Sequence, residues 1–370
     1  GGIGCFACPV GGNCAGGLTT QSGIAAVQGF WAPPGSTGGR FYECRIEEAC
    51  LPGGDVVIGN ETQRLVSRCG EGYVGTLCAV CDDDYFEQFG LCVSCGTQGG
   101  VAWLIMFAVL VAVIGAGVLF VKYREFMPID QLKVTLSMAQ VIGSANTAYA
   151  IPWPPMFADF LNFMRIFLIE AVSLTRANCA QPMTFYGTLV VTLVLFKLAL
   201  VAVVVVPVIL HRYKGRVCGR RRSQMLASGN HGSAAPMATG VHSIDWARIF
   251  KIAFLFLFVC YPGISLKIMT AFKCVEVEGD FWLVADMRLK CYEGDWYGYA
   301  LYAFVMGCLY TGGLPLAITV ILWRNRRRLG EEGVVAKWGF LYETYGVGAY
   351  LWEVVELLRK LWLSALVVLM

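Results

Sequence analysis

The sequence predicts a mostly α-helical membrane protein, a polytopic helical bundle with a small disulfide-rich, loop-dominated domain at its N-terminus. Hydrophobic residues make up 57% of the 370 residues and charged residues only 15%, which lies outside the range of soluble proteins. Ten of the sixteen cysteines fall within the first 95 residues. An apolar run at 101–121 follows almost directly and is long enough to cross a hydrocarbon core of about 30 Å.

The first predicted domain, residues 1–97, is an extracellular Cys-rich region. It is rich in glycine and short polar stretches, so it cannot bury much apolar surface, and cross-links must replace core packing. The even number of cysteines allows five disulfides, with the pairing left open. The cysteines are Cys5, Cys8, Cys14, Cys44, Cys50, Cys69, Cys78, Cys81, Cys92 and Cys95.

Zinc binding is the alternative for these cysteines, because three Cys-x2-Cys pairs have the ligand spacing of zinc knuckles. Glycine and aromatic flanks, the adjoining apolar run and a sequon at Asn60 favour disulfides, with Asn60 as an N-glycosylation site. The acidic run Asp82, Asp83 and Asp84 could supply carboxylates to Ca²⁺, although a solvated loop is the favoured interpretation. No other cofactor is expected.

The second predicted domain, residues 98–370, is the transmembrane helical domain, and its first half is the more polar. After the span at 101–121, basic residues mark the cytoplasmic side. A second span at about 130–150 carries the candidate intramembrane polar residues Lys133, Gln140 and Asn146. It is either a buried bundle helix or the lining of a conduction pathway. Residues 156–172 are amphipathic and predict a helix at the outer interface.

The later spans are predicted at about 185–210, 247–269, 297–323 and from 357 onward. Lys197 lies inside the first of these, where a charge is costly, so it is expected to have a partner or a polar cavity. The fourth span is expected to kink or end at Tyr261-Pro262-Gly263. Basic clusters on one side of the membrane make 211–246 a cytoplasmic loop.

The loop at 270–296 is acidic and carries two cysteines, so it is predicted to be extracellular and closed by a disulfide between Cys274 and Cys291. Cys179 is extracellular in the same topology and is expected to pair with a cysteine of residues 1–97. Residues 335–356 are expected at the inner interface. No signal peptide precedes Gly1, and Met370 ends an apolar run, so the chain is expected to be a middle part of a larger protein.

Several stretches resemble known families. The stretch from Cys69 to Cys81, CGEGYVGTLCAVC, resembles the EGF-like and ephrin-receptor-like cysteine-rich repeats. The stretches IPWPP at 151–155, YPGISLK at 261–267 and LWEVVELLRK at 351–360 resemble multi-pass proteins of algae and other protists. In those proteins, cysteine-rich repeats precede a TRP-like or polycystin-like transmembrane block, so the resemblance implies cation conduction or sensing.

The sequence contains no P-loop, nucleophile elbow, zincin or dinucleotide motif, and no enzymatic activity is expected. The expected function is a channel or sensor subunit whose Cys-rich region receives ligand, force or matrix. The alternative is a non-conducting surface receptor or structural membrane anchor. Expected partners are the lipid bilayer, extracellular protein or matrix bound through residues 1–97, and other subunits of an oligomer or complex, but not nucleic acid. The expected location is the plasma or ciliary membrane.

Overall fold

The computed structural model describes most of the disulfide-rich region and the larger part of the helical block. The described residues are 7–14, 24–33, 40–58, 61–88, 91–96, 129–148, 151, 153–168, 183–227 and 246–369. The predictions for Cys5, Asn60, Cys179 and the span at 101–121 lie outside these residues. The side chains of Lys133 and Asn146 are also outside the description.

The disulfide-rich region consists of short antiparallel strand pairs, in which each strand pairs with the next one along the chain. The strands are β1 (Gly12–Asn13), β2 (Ala25–Ala26), β3 (Phe30–Trp31), β4 (Tyr42–Glu43), β5 (Cys50–Ile58), β6 (Glu61–Cys69), β7 (Tyr73–Val74), β8 (Val80–Cys81), β9 (Tyr85–Gln88) and β10 (Leu91–Ser94). A two-stranded pair of this kind is marginally stable alone. The region therefore depends on its cross-links.

The predicted disulfides are confirmed for the described cysteines of this region. The bonds join Cys8 to Cys14, Cys44 to Cys50, Cys69 to Cys78 and Cys81 to Cys92, and Cys95 is disulfide-bonded as well. The cysteines of the described Cys-x2-Cys pairs bond to more distant partners and not to each other. Among the described residues, no group of three or more His, Cys, Asp or Glu side chains is placed to hold a metal ion.

The rest of the described chain consists mainly of helices and contains one further hairpin. The helices are α1 (Ile129–Ala148), α2 (Pro155–Met164), α3 (Phe185–Ala227), α4 (Trp246–Thr270), α5 (Trp296–Met306), α6 (Gly313–Asn325), α7 (Glu332–Trp338) and α8 (Trp352–Leu361). A π-helical turn, Gly307–Gly312, joins α5 to α6, and a second one, Trp362–Leu366, follows α8. The hairpin is formed by β11 (Cys274–Val277) and β12 (Asp280–Leu283).

Three of these helices are long and apolar enough to cross a membrane: Phe185–Ile209, Ile249–Thr270 and Trp296–Asn325. Six spans are not supported. The apolar part of α1 is only Val134–Ala145, about 18 Å long at 1.5 Å per residue. The segment from 357 contains the π turn and a 3-10 turn, Val367–Leu369, and is not among the described helices that meet the length and composition of a span.

The bounds of two other predicted elements also change. The first seventeen residues of the predicted cytoplasmic loop, 211–227, are helical, because α3 continues to Ala227. The bounds of α4 lie within one residue of the predicted span at 247–269, so of the two outcomes expected at Tyr261-Pro262-Gly263, a kink or a helix end, the helix end is wrong. The predicted interfacial helix ends at Met164 and continues as a tighter 3-10 turn, Arg165–Leu168, a common way for a helix to finish.

Helix α4 lies at the centre of the helical block, where the backbones of neighbouring elements approach each other closely. Its buried side chains join those of α3, α5 and α6 in one core cluster. A side chain added at Gly263 would collide with the carbonyl oxygen of Leu168, and one added at Gly143 of α1 would collide with the backbone of Met164. Small residues at such contacts let backbones approach, which is typical of packing inside membranes.

Candidate functional site

The β11–β12 hairpin belongs to a loop that connects the disulfide-rich region to the helical block. We call residues 274–291 the bridge loop. A disulfide between Cys274 and Cys291 closes it, so the predicted bond is confirmed. The two-residue turn, Glu278 and Gly279, has positive φ at both positions, which is the conformation of a type I′ turn and fits the twist of the flanking strands.

One face of the bridge loop packs against the disulfide-rich region. Val277 is buried in a cluster with Trp31 and the half-cystines of that region, and Trp282 packs at its edge. The backbone N–H of Glu278 donates a hydrogen bond of 3.3 Å to the hydroxyl oxygen of Tyr42. The interface is therefore apolar at its centre with a hydrogen bond at its margin, as in a specific protein contact.

The opposite face of the bridge loop packs on the outer ends of two membrane helices. Leu283 and Cys291 are buried together with Tyr186 of α3, and Trp296 and Tyr299 of α5 pack against them. The rings of Tyr186 and Tyr299 stack with centroids 4.3 Å apart. The bridge loop thus contacts the disulfide-rich region on one side and the helix ends on the other.

Asp286 fixes the bridge loop to α3. Its carboxylate accepts hydrogen bonds from the backbone N–H of Phe185 at 2.9 Å and from the Arg288 guanidinium at 2.8 and 3.0 Å. The first N–H groups of a helix have no partner within the helix, so a carboxylate at this position satisfies one of them and interacts favourably with the helix dipole. The Asp286 hydrogen bond raises the pKa of the Arg288 guanidinium above its ordinary value.

Lys273, which directly precedes the bridge loop, and Lys290, which lies within it, have contrasting surroundings. Burial, and to a smaller extent the nearby Arg45, lower the pKa of Lys273. Lys290 is paired with Asp280 at 2.7 Å, and this hydrogen bond raises its pKa. Lys273 therefore opposes the contact with the disulfide-rich region electrostatically, whereas Lys290 stabilises the hairpin on which the contact is built.

Gln140, one of the predicted intramembrane polar residues, lies in the packed core of the helical block. It is 1% exposed and donates a 2.7 Å hydrogen bond to the carbonyl oxygen of Val259 in α4. Tyr310 donates in the same way to the carbonyl of Leu257. The carbonyl that Pro262 leaves without its helical donor is that of Phe258, and the two side-chain bonds are made to the carbonyls on either side of it.

Buried hydroxyl groups continue this polar core. Tyr261 donates a 2.8 Å hydrogen bond to the carbonyl oxygen of Thr311 in the first π turn, and Thr311 bonds to the hydroxyl of Ser265 at 3.2 Å. π-helical turns inside α-helices occur often at functional sites. Here the turn meets the Pro262 region of α4, so the two irregular backbone segments of the core face each other.

Lys197 occupies a different environment, on a surface that the described residues leave exposed. It is the central residue of the 25-residue span Phe185–Ile209, its side chain is exposed, and its ammonium lies 3.5 Å from the hydroxyl of Tyr302 and 5.5 Å from the centre of that ring. A lysine at the centre of a membrane helix costs about 2.5–3.5 kcal/mol on insertion scales. The partner that was expected for Lys197 is thus the uncharged phenol of Tyr302.

The remaining predicted sites are separate from one another. Asp82, Asp83 and Asp84 are exposed, and the side chain of Asp82 accepts a 2.9 Å hydrogen bond from the backbone of Asp83, as in a solvated turn. In α8, Glu356 pairs with Arg359 at 2.8 Å, one helical turn along the same face.

The structure also shows contacts that the sequence did not reveal. Tyr42 and Asp286 belong to no motif, and each contacts a residue more than 100 positions away. The acidic and aromatic character of the 270–296 segment was the available signal, but it indicated the side of the membrane and not the contacts. The role of Thr311 follows from the π turn, for which the sequence offered only a Gly-rich apolar run.

Comparisons with known proteins give one relative and no family. Cysteine repeat modular protein A from Toxoplasma gondii is 20% identical to this chain over 439 aligned positions, which cover 96% of the chain and 14% of the relative. No protein-family model matches, and no solved structure matches. The disulfides and this weak similarity fit a cysteine-rich extracellular region, and the apolar helices fit membrane association. The chain spans about a seventh of the relative's length.

Proposed function

We propose that this protein is a membrane sensor subunit in which the disulfide-rich region receives an extracellular ligand, matrix contact or force and the bridge loop transmits it to the membrane helices. The observation that carries the proposal is the two-sided packing of the bridge loop. Val277 lies in the core of the disulfide-rich region, and Leu283 lies against the ends of α3 and α5. A displacement of the first region therefore acts on the helices through a short, cross-linked segment.

The response of the helical block, in this proposal, is cation conduction of a TRP-like or polycystin-like type. Two features support a block that can change state. Helix α4 contains Pro262, and the π turn that packs against it contains Thr311, so both partners have irregular backbone stabilised by side-chain hydrogen bonds. Such segments can exchange hydrogen-bond partners at low cost and are common where membrane helices move.

A non-conducting receptor or membrane anchor is the second candidate, and one observation favours it. The described polar side chains of the helical core point into packed interfaces, as Gln140 does at 1% exposure. Gln140 bonds to a backbone carbonyl, and Thr311 bonds to the hydroxyl of Ser265. In this alternative the bridge loop holds the extracellular region rigidly on its membrane anchor.

The test compares the full chain with a variant in which the bridge contact is broken. Val277→Asp buries a charge in the extracellular cluster, whereas the control Glu276→Ala changes an exposed neighbour on the other face of β11. Two spin labels, one at an exposed site of the disulfide-rich region and one on α7, are used to measure the distance between these two parts. Recordings in planar bilayers measure the current under tension.

For the original protein and for the Glu276→Ala control, the proposal predicts a single, fixed distance between the spin labels and a current that depends on tension. The Val277→Asp variant should show a broad distance distribution and no tension response. A fixed distance that only Val277→Asp broadens, without current in any protein, would support the receptor or anchor. A narrow distribution in Val277→Asp would contradict both forms, because it would show that the contact does not couple the two parts.

A further inference from the structure

Lys197 lies in the most exposed of the candidate spans. Only 17% of the most apolar window of Phe185–Ile209 is buried, against 56% for Ile249–Thr270 and 44% for Trp296–Asn325. Around Lys197, the exposed side chains are those of Val194, Leu198 and Val201. A cation thus stands in the middle of a broad apolar surface that the described part of the chain leaves uncovered.

The position of Lys197 prevents its charge from reaching water along the lipid. It is the central residue of its span, so each end of the span is about 18 Å away along the helix at 1.5 Å per residue. Lysines escape the membrane interior by extending to the interface only when they lie near helix ends. The hydroxyl of Tyr302 accepts one hydrogen bond but does not neutralise the ammonium.

The three candidate spans that the structure describes supply no counter-charge at this depth. The spans Phe185–Ile209, Ile249–Thr270 and Trp296–Asn325 contain no Asp or Glu, and neither does the apolar run 101–121. A second copy of the same surface, related by a two-fold axis, would bring two Lys197 ammonium groups together. Anionic lipid head groups lie at the interface of a core about 30 Å thick, far from the middle of the bilayer.

The surface beside Lys197 continues into an open cleft. The cleft, of about 630 Å³, is lined by Val190 of α3, by Asp295 just before α5, and by Gly298 and Tyr302 of α5, which are one helical turn apart. Asp295 lies two helical turns from Tyr302, at the end of the span and not at its middle. A Cβ built on Gly298 meets no atom within 4 Å, so this side of α5 has room for a close neighbour. Small residues and polar groups on one face are typical of helix association in membranes.

We propose that the surface formed by Lys197, Tyr302 and the Gly298 cleft binds a transmembrane helix of a partner protein that carries a carboxylate at mid-membrane depth. The carboxylate pairs with the Lys197 ammonium, and Tyr302 provides a hydroxyl beside the pair. The partner helix packs on the apolar residues of α3 and into the cleft beside Gly298. This proposal depends on the membrane placement of α3 and is independent of the proposed sensing function.

The first test uses a designed helix as the probe. The full chain, labelled with a donor fluorophore, is reconstituted in vesicles of neutral phospholipid with a Leu/Ala helix of about 20 residues that carries an acceptor and one central Asp. We expect energy transfer above the level of random mixing. The excess transfer should fall about tenfold in Lys197→Leu, or when the Asp is moved to the end of the probe helix. Lys197→Arg keeps the charge and should retain most of the binding. Equal transfer with an all-Leu/Ala helix would overturn the proposal.

The second test identifies the occupant in native membranes. A photo-crosslinking residue replaces Val201 on the exposed face, and in a control chain it replaces the buried Leu193. The proposal expects an adduct at position 201 with a membrane helix of another protein that contains a mid-span Asp or Glu. That adduct should be lost with Lys197→Leu and restored when Lys197→Asp is combined with the opposite exchange in the partner.

Other adducts would contradict the proposal. Crosslinks only to lipid would show a lipid-facing surface, crosslinks to a second copy would show self-association, and crosslinks to residues 101–121 would show coverage by the chain itself. Because Lys197→Leu could also alter folding, the melting temperature of each variant in detergent is measured alongside. A variant that melts like the original chain but has lost the crosslink shows that the docking surface, and not the fold, has changed.

Discussion

Asp286 of the bridge loop caps the membrane helix that begins at Phe185, although the two residues are 101 positions apart. The carboxylate accepts the Phe185 backbone N–H at 2.9 Å and is held from the other side by Arg288. The Asp286 side chain is only 6% exposed, so water does not replace these bonds readily. The Asp286 carboxylate therefore adds a buried polar contact at the start of α3 to the apolar packing of Leu283 and Cys291 against Tyr186.

Replacing this carboxylate tests the cap. Asp286→Ala leaves the Phe185 N–H and the Arg288 guanidinium without their partner, and we expect a loss of about 1–3 kcal/mol in the free energy of unfolding. Hydrogen exchange should also rise in the first turn of α3. Asp286→Asn keeps an acceptor oxygen and should lose less. Unchanged exchange at 185–188 in the alanine variant would show that the cap does not hold the helix start.

Removing the bridge-loop disulfide should destabilise the extracellular contact. The bond joins cysteines 17 positions apart, and loop-closure arguments assign about 3 kcal/mol to a cross-link of this length. In Cys274→Ala/Cys291→Ala we expect a lower melting temperature and faster proteolysis between residues 70 and 100, because Val277 no longer holds the disulfide-rich region. The Cys260→Ala variant, which removes a free thiol, controls for cysteine removal. Equal proteolysis in both variants would contradict this role.

Gly263 should tolerate no side chain. A Cβ there would meet the carbonyl oxygen of Leu168, whereas at Gly312 the nearest atom is 3.9 Å away. Gly263→Ala must separate α4 from the 165–168 turn, and we expect a loss of about 1–3 kcal/mol, as for other overpacked sites. Gly312→Ala should change the free energy of unfolding little. Thermal unfolding in one detergent compares the two, and equal losses would show that the close approach is not tight.

The long helices could be predicted from the sequence because their signal is local. The apolar runs of α3, α4 and the 296–325 helix are long enough to identify without knowing their neighbours. The bond between Cys274 and Cys291 was predictable because the two cysteines share one extracellular loop. The failures came from segments with a mixed signal. In α1, the apolar stretch is limited by Lys133 and Asn146, and the role of Gln140 within it depends on a carbonyl of α4 that is far away in sequence.

The contacts of the candidate site could not be predicted because they join distant residues of ordinary type. The bond from Glu278 to Tyr42 spans 236 positions and uses a backbone N–H, which carries no sequence signal. Helix α4 continues through Pro262, and Tyr310 and Gln140 bond to the carbonyls on either side of the one that the proline frees. The proline alone predicted a kink or a helix end and could not identify these side-chain partners, which lie on other helices.

Lys273 should respond to pH in the opposite way from Lys290. Burial lowers the pKa of Lys273 in the folded protein, so the unfolded chain holds more protons in the window just below its ordinary value of 10.5. Stability from this residue therefore rises with pH across that window, and the cost of the buried charge is fully present at neutral pH. Lys273→Met should raise the melting temperature at pH 7, with a gain of less than about 1 kcal/mol in the free energy of unfolding. This gain should shrink as the pH approaches 10.5.

Lys290→Met is the matched control for this pH experiment. The hydrogen bond to Asp280 raises the Lys290 pKa, so the folded state holds the proton more tightly and the stabilising effect is lost only as the pH rises past the ordinary value. Lys290→Met should therefore lower the melting temperature at pH 7. Thermal unfolding of the full chain in detergent between pH 7 and pH 10.5 measures both variants. If the two substitutions shift the melting temperature in the same direction, the contrast between Lys273, which is partly buried near Arg45, and Lys290, which is paired with Asp280, is wrong.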